Sequence, residues 1–182
     1  MAIIDTDEFA FPKKKSNLVE FLKDYEECSG ILINWQLFGT SMISRIPDNQ
    51  LMMETLLLRA PSDAEINRSC KTIVRPHTVK YCVHPYSVIY FPWSYAVDPD
   101  KRAFHWELHK SHPIKTDKIQ INHYWARDEE FFFTNKLARF EKWGSNKKQA
   151  CIQQNAEANE LIDQEILPFA KLVRRLQKKE KE

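Results

Sequence analysis

The run Ile31–Phe38, ILINWQLF, most narrows what this chain can fold into. It is mostly apolar, carries β-branched and aromatic residues, and is bounded by Ser29-Gly30 before and Gly39 after. Such a run reads as a buried strand leading into a loop. Strand-like segments at 2–5, 52–58, 71–75 and 119–124 can join it in one mixed sheet. In the last of these, Ile119, Ile121 and His123 alternate on one face. LMMETLLLRA, residues 51–60, reads as strand rather than short helix, and residues 91–117 carry no clear period. KTIVRP and TVKYCVHPY read as two short strands parted by Pro76-His77, because Pro76 cannot donate to a ladder.

Helical signals surround these strands. Asn17 caps a helix that runs to about Glu27, with Glu20 three residues on completing a capping box and Leu18, Phe21, Leu22 and Tyr25 on one face. Asp128 caps a second, in which Phe132, Lys136 and Phe140 share one face and Phe133, Leu137 and Phe140 an adjoining one. Gly144 ends it. From about Asn155, residues Ile162, Ile166, Phe169, Val173 and Leu176 keep a helical period, with a kink expected at Pro168. The fold class is therefore α/β, a mixed sheet with flanking helices and a C-terminal helix.

Composition excludes several function classes. With 182 residues, 43% hydrophobic and 12% aromatic, the chain is long enough for one globular domain. Its 27 basic and 25 acidic residues leave a net charge of +2, which points to no nucleic-acid partner. Charge is concentrated in the tail KLVRRLQKKEKE, Lys171–Glu182, which suits a solvated helix end or peripheral contact with a membrane. Cys28, Cys70, Cys82 and Cys151 form no C-x-x-C motif and read as reduced thiols in a cytoplasmic setting. No apolar run reaches the roughly 20 residues needed to span a bilayer.

The chemistry-bearing residues begin at Asp5-Thr6-Asp7-Glu8, after the apolar lead-in Ala2-Ile3-Ile4. Two acids two apart at a strand end can hold one hard cation, Mn2+ or Mg2+, together with phosphate oxygens. Lys71 and Arg75, four apart on a strand, suit phosphate contacts or a pair of surface cations. Trp35 and Phe38, beside Gly39, suit either a sugar-stacking wall or the core. His105, His109 and His112 have zinc-like spacing, but Trp106 stands where a zincin needs Glu, and Pro113 favours a loop.

IIDTDEF resembles the D-x-D-E-F strand of the family 92 glycosyltransferases, which have the GT-A fold. Three further blocks resemble that family in the same order: NWQLFGTS, KTIVRP followed by Val83-His84, and INHYWARDEEFFFTNKLARFEKW. The chain departs from the pattern at Met42, where a second Gly is expected, and at Pro85-Tyr86, where an aromatic is expected after His84. The resemblance implies metal-dependent transfer of a hexosyl group from a nucleotide sugar to a glycan or other hydroxyl acceptor. Asp5, Asp7 and His123 would hold the divalent cation, and Lys71, Arg75, Trp35, Phe38, Gly39 and His84 would line the substrate. Glu54, Asp128, Glu129 and Glu130 are alternative general bases, and nothing in the sequence chooses among them. By the same resemblance, residues 1–144 correspond to the metal and acceptor half of the domain and 145–182 to a helical extension. The β-α-β nucleotide-binding units that precede the D-x-D strand would be missing. An incomplete transferase is expected, or alternatively a non-catalytic remnant that binds a glycan or protein.

Overall fold

The computed structural model describes residues 1–84, 87–104 and 113–179, with the backbone alone for His84 and Phe104. Its elements in chain order are β1 (Glu8–Pro12), α1 (Leu18–Lys23), β2 (Gly30–Leu37), α2 (Met52–Thr55), β3 (Leu58–Arg59), β4 (Cys70–Val74), β5 (Val79–His84) and β6 (Ser87–Tyr90). There follow β7 (Ala96–Val97), β8 (Ala103–Phe104), β9 (Ile119–His123), α3 (Glu129–Phe131), α4 (Ala138–Lys142), α5 (Ser145–Glu157), β10 (Leu161–Ile162) and α6 (Leu167–Lys179). Two compact units form: Met1–Gln36 with Ser62–His123, and Leu37–Pro61 with Tyr124–Glu182.

The first unit is built on a mixed sheet in the order β1-β9-β2-β7-β8, with β4 also paired to β2. β1/β9, β2/β4 and β7/β8 are antiparallel, and β2/β7 is parallel. Every residue of β2 is buried, as its apolar run requires. Because side chains alternate, one face of β2 and β9 carries Ile31, Ile33, Trp35, Ile119 and Ile121, which pack with Phe21 and Tyr25 into the main core. The other face carries Asn34, Gln36, Gln120 and Asn122, all buried. The Asn34 side chain answers backbone there, donating to Asn67 O at 3.0 Å and accepting from Lys115 N at 3.0 Å.

Helix α1 starts as expected, Asn17 Oδ1 accepting from Glu20 N at 2.9 Å. Only half the capping box forms, because the Glu20 carboxylate accepts from Lys23 at 2.8 Å instead. The helix closes at Lys23, and single turns continue to Cys28 through Tyr25 N–Leu22 O and Cys28 N–Tyr25 O bonds.

Four expectations are corrected. Residues 2–5 are not a strand: Ala2 makes one isolated bridge to Ile73, and the acids occupy a turn before β1. That turn closes on itself, with Glu8 N bonded to Asp5 O at 3.1 Å, and five residues from Glu8 onward find partners on β9. Residues 52–58 are mainly helix, since Glu54 turns back to accept from Leu51 N at 3.2 Å, leaving a two-residue strand that pairs with β10. The C-terminal helix does not start near Asn155. Helix α5 ends at Glu157, β10 intervenes, and α6 begins at Leu167. Pro168 lies in the first turn of α6, where no intrahelical bond is lost, so it kinks nothing. Helix α5 carries no apolar period, because SNKKQACIQQNAE is nearly all polar, with Cys151 its one buried residue.

In the second unit, α3 continues through a π-helical stretch, Phe132–Leu137, into α4. Asp128 caps it, Oδ1 accepting from Phe131 N at 2.9 Å. Phe132 is buried with Ala126 and Cys151, and Trp125, Leu137 and Phe140 pack around them.

Gly30 shows how tightly the first unit is packed. A Cβ there would run into Tyr90 Oη and lie 3.1 Å from Ile73 O. Tyr90 Oη is buried without a hydrogen-bond partner among the described residues. Gly30→Ala is therefore expected to destabilise the fold by about 1–3 kcal/mol in urea unfolding. Tyr90→Phe should cost little or nothing alone and should recover part of the Gly30→Ala loss in the double variant, by removing the colliding oxygen.

Candidate functional site

The register of the sheet assembles a charged cluster at the end of the apolar face. Glu8 stands opposite His123 across β1 and β9, and Lys71 stands opposite Ile33 across β4 and β2. Glu8, Lys71, Trp35 and His123 thus cap the side on which Ile33 and Ile121 pack. Their side chains meet there.

Lys71 is the centre of the cluster. Its side chain is 1% exposed, and its ammonium lies 3.1 Å from Asp5 Oδ2 and 3.3 Å from Glu8 Oε2. Glu8 Oε2 also accepts from Asp5 N at 2.8 Å, which pins the acidic turn to the sheet. Glu8 Oε1 is buried and has no hydrogen-bond partner among the described residues. Burial pushes the Glu8 carboxyl above its ordinary 4.5, an effect that the Asp5 amide and the Lys71 charge offset only in part.

Asp7 points elsewhere. Its Oδ1 lies 4.0 Å from His123 Nε2, beyond hydrogen-bonding distance, and both side chains are largely buried. The His123 ring is held against Trp35, with centroids 4.2 Å apart. Among the described residues no three His, Cys, Asp or Glu side chains gather as metal ligands. Asp7 and His123 still offer one hard oxygen and one imidazole nitrogen, a set that suits a cation completing its shell from phosphate and water. Asp5 suits this less, because Lys71 already neutralises it.

The remaining sequence candidates are dispersed. Arg75 lies just beyond β4 and lines a separate cavity of about 420 Å³ with Val19, Leu22, Ile73 and Pro76. Phe38 is fully buried against the Tyr124 ring at 4.8 Å, so neither face is open for sugar stacking. Gly39 N donates to Ala158 O at 2.9 Å, and a Cβ at this position would meet Asn159 at 2.5–2.7 Å. Glu54 is gripped by Arg174, whose Nε lies 2.7 and 2.8 Å from its two oxygens, and this keeps its carboxyl low. Asp128 uses both oxygens on backbone amides, those of Phe131 and, at 2.8 Å, Ile46. Glu130 lies 3.6 Å from Arg45, and Glu129 is half-buried in the first turn of α3. His84 ends β5, and its side chain lies outside the described residues, as do His105, His109 and His112. Glu8 is the residue that motif reading undervalued; its signal was its place directly after the second acid.

The sequence profile of glycosyltransferase family 92 matches residues 1–166, nine-tenths of the chain. The chain belongs to glycosyltransferase family 92. The match includes the acidic turn, Lys71 and His123, and it runs past Gly144 through α5 and β10. No individual curated protein matches the sequence. Membership of family 92 assigns this chain to glycosyl transfer in general, on a mixed α/β fold.

Removing the ammonium tests the cluster. Lys71→Met leaves Glu8 buried beside Asp5 without a counter-charge, and is expected to cost about 3–5 kcal/mol in chemical unfolding at neutral pH. The native state holds the Glu8 proton more tightly than the unfolded chain does. Glu8's contribution is therefore fully present below 4.5 and declines as pH rises through the window up to its raised value. In unfolding midpoints measured against pH, Lys71→Met should steepen that decline and Glu8→Gln should remove it.

Proposed function

We propose that this family 92 chain binds a nucleotide sugar through a divalent cation, Mn2+ or Mg2+, and passes the hexosyl group to a hydroxyl acceptor, a glycan foremost. The observation that carries the reading is the convergence of Asp7 and His123, 116 positions apart, at one end of the β1/β9 pair. Both are residues that the family resemblance nominates as ligands, Asp7 directly before β1 and His123 at the end of β9.

The chain's own residues divide the work. Asp7 contributes a carboxylate oxygen, and His123 contributes Nε2 from a ring whose tilt is set by Trp35. A cation held there would neutralise the charge that builds on the departing nucleoside diphosphate. Lys71 compensates Asp5 and Glu8, leaving Asp7 as the carboxylate of the turn that is free for the cation. Glu54 is tied to Arg174 and Asp128 to two backbone amides, so neither carboxylate is well suited to taking the acceptor proton.

Thermal unfolding with Mn2+, alone and with a nucleoside diphosphate, tests this. The pair should raise Tm more than either component does, and Asp7→Ala or His123→Ala should abolish the gain. Glu54→Gln should keep it. A wild-type Tm indifferent to Mn2+ and nucleoside diphosphate together would exclude the metal-dependent reading.

A further inference from the structure

Helix α6 presents a face that its packing leaves uncovered. Ile166, just before it, and Ala170 are buried, while Phe169 and Val173 are half-buried. Leu172 and Leu176, four apart on the next row, are 52% and 53% exposed. The row beyond them is Lys171, Arg175 and Lys179, again spaced by four and all exposed. Around the helix the order is therefore core contact, bare leucines, cations.

The charge on this helix is one-signed. Lys171, Arg174, Arg175, Lys178 and Lys179 lie within Leu167–Lys179, which holds no Asp or Glu. Arg174 is committed to Glu54, which fastens the polar side of the helix to its own unit. The other four cations face outward. Paired copies of such a face would set cation row against cation row, which opposes self-association. A surface that takes leucines just below a layer of negative charge satisfies both rows at once, and an anionic lipid leaflet is that surface.

We infer that α6 is an interfacial docking helix, placing Leu172 and Leu176 at the acyl boundary of an anionic membrane with Lys171, Arg175, Lys178 and Lys179 among its headgroups. The contact is peripheral: among the described residues no helix is long and apolar enough to cross a membrane. The inference rests on α6 alone and is independent of the cation and donor chemistry at Asp7 and His123.

Flotation of the full chain with vesicles tests it, comparing phosphatidylcholine alone with phosphatidylcholine containing phosphatidylserine. The protein is expected to float with the anionic vesicles only, and to be released when salt shortens the Debye length to about 3 Å. Arg175→Gln/Lys178→Gln/Lys179→Gln should weaken partitioning on the order of 100-fold. Leu172→Asn/Leu176→Asn should also abolish flotation, and its circular dichroism melt should match wild type because both side chains are already exposed. Should the leucine variant lose stability, the cation variant and the salt response still decide. Equal binding to neutral vesicles, or no binding to anionic ones, would overturn the inference. So would a dimer in light scattering that the leucine variant dissolves while vesicle binding is absent, since the face would then be an interface between copies. Capture of an acidic peptide in place of vesicles would overturn it too.

Discussion

A buried ammonium holds the acidic turn of this protein to its sheet. Lys71 lies on β4, among the most enclosed side chains of the first unit, and Asp5 and Glu8 come to its charge. The acidic turn has no regular secondary structure of its own. It is held by Glu8 Oε2, which accepts from the Asp5 amide while facing Lys71, and by the entry of Glu8 into the β1/β9 ladder. Shifting β1 by one residue would move the Glu8 side chain to the opposite face and take it away from Lys71.

The same interaction divides the labour of the two acids in the D-x-D pair. Asp5 is drawn towards the lysine and Asp7 towards the histidine. A pair that looks symmetrical along the chain becomes one structural acid and one candidate ligand. His123 gains its orientation from Trp35, itself part of the main core, so the geometry of the candidate ligand is inherited from hydrophobic packing.

The second unit follows a different logic, in which side chains secure loops. Asn159 Oδ1 accepts from Ser41 N at 2.7 Å and Asn155 Oδ1 from Thr40 N at 3.1 Å, so α5 clamps the segment after Phe38. Gly39 is the residue that lets Asn159 come so near. Asp128 serves two amides, and Arg59 Nε donates to buried Asp163 at 2.8 Å. These polar residues are spent on shape. Asp128 acts here as a cap and Glu54 as a counter-ion to Arg174.

Local signals were readable from the chain alone. The apolar run of β2, the caps at Asn17 and Asp128, the alternation of Ile119, Ile121 and His123, and the four family-like blocks each depend on neighbours a few residues away. Strength of local pattern also explains the failures: α5 has almost no apolar period, and the apolar run around Met52–Thr55 reads as strand until Glu54 closes its own turn. The pairings of Lys71 with Asp5, Asp7 with His123 and Glu54 with Arg174 span 66 to 120 positions. No sequence spacing encodes them. They were decided by strand register and helix packing, because a charge finds its partner only once burial has removed water as the alternative.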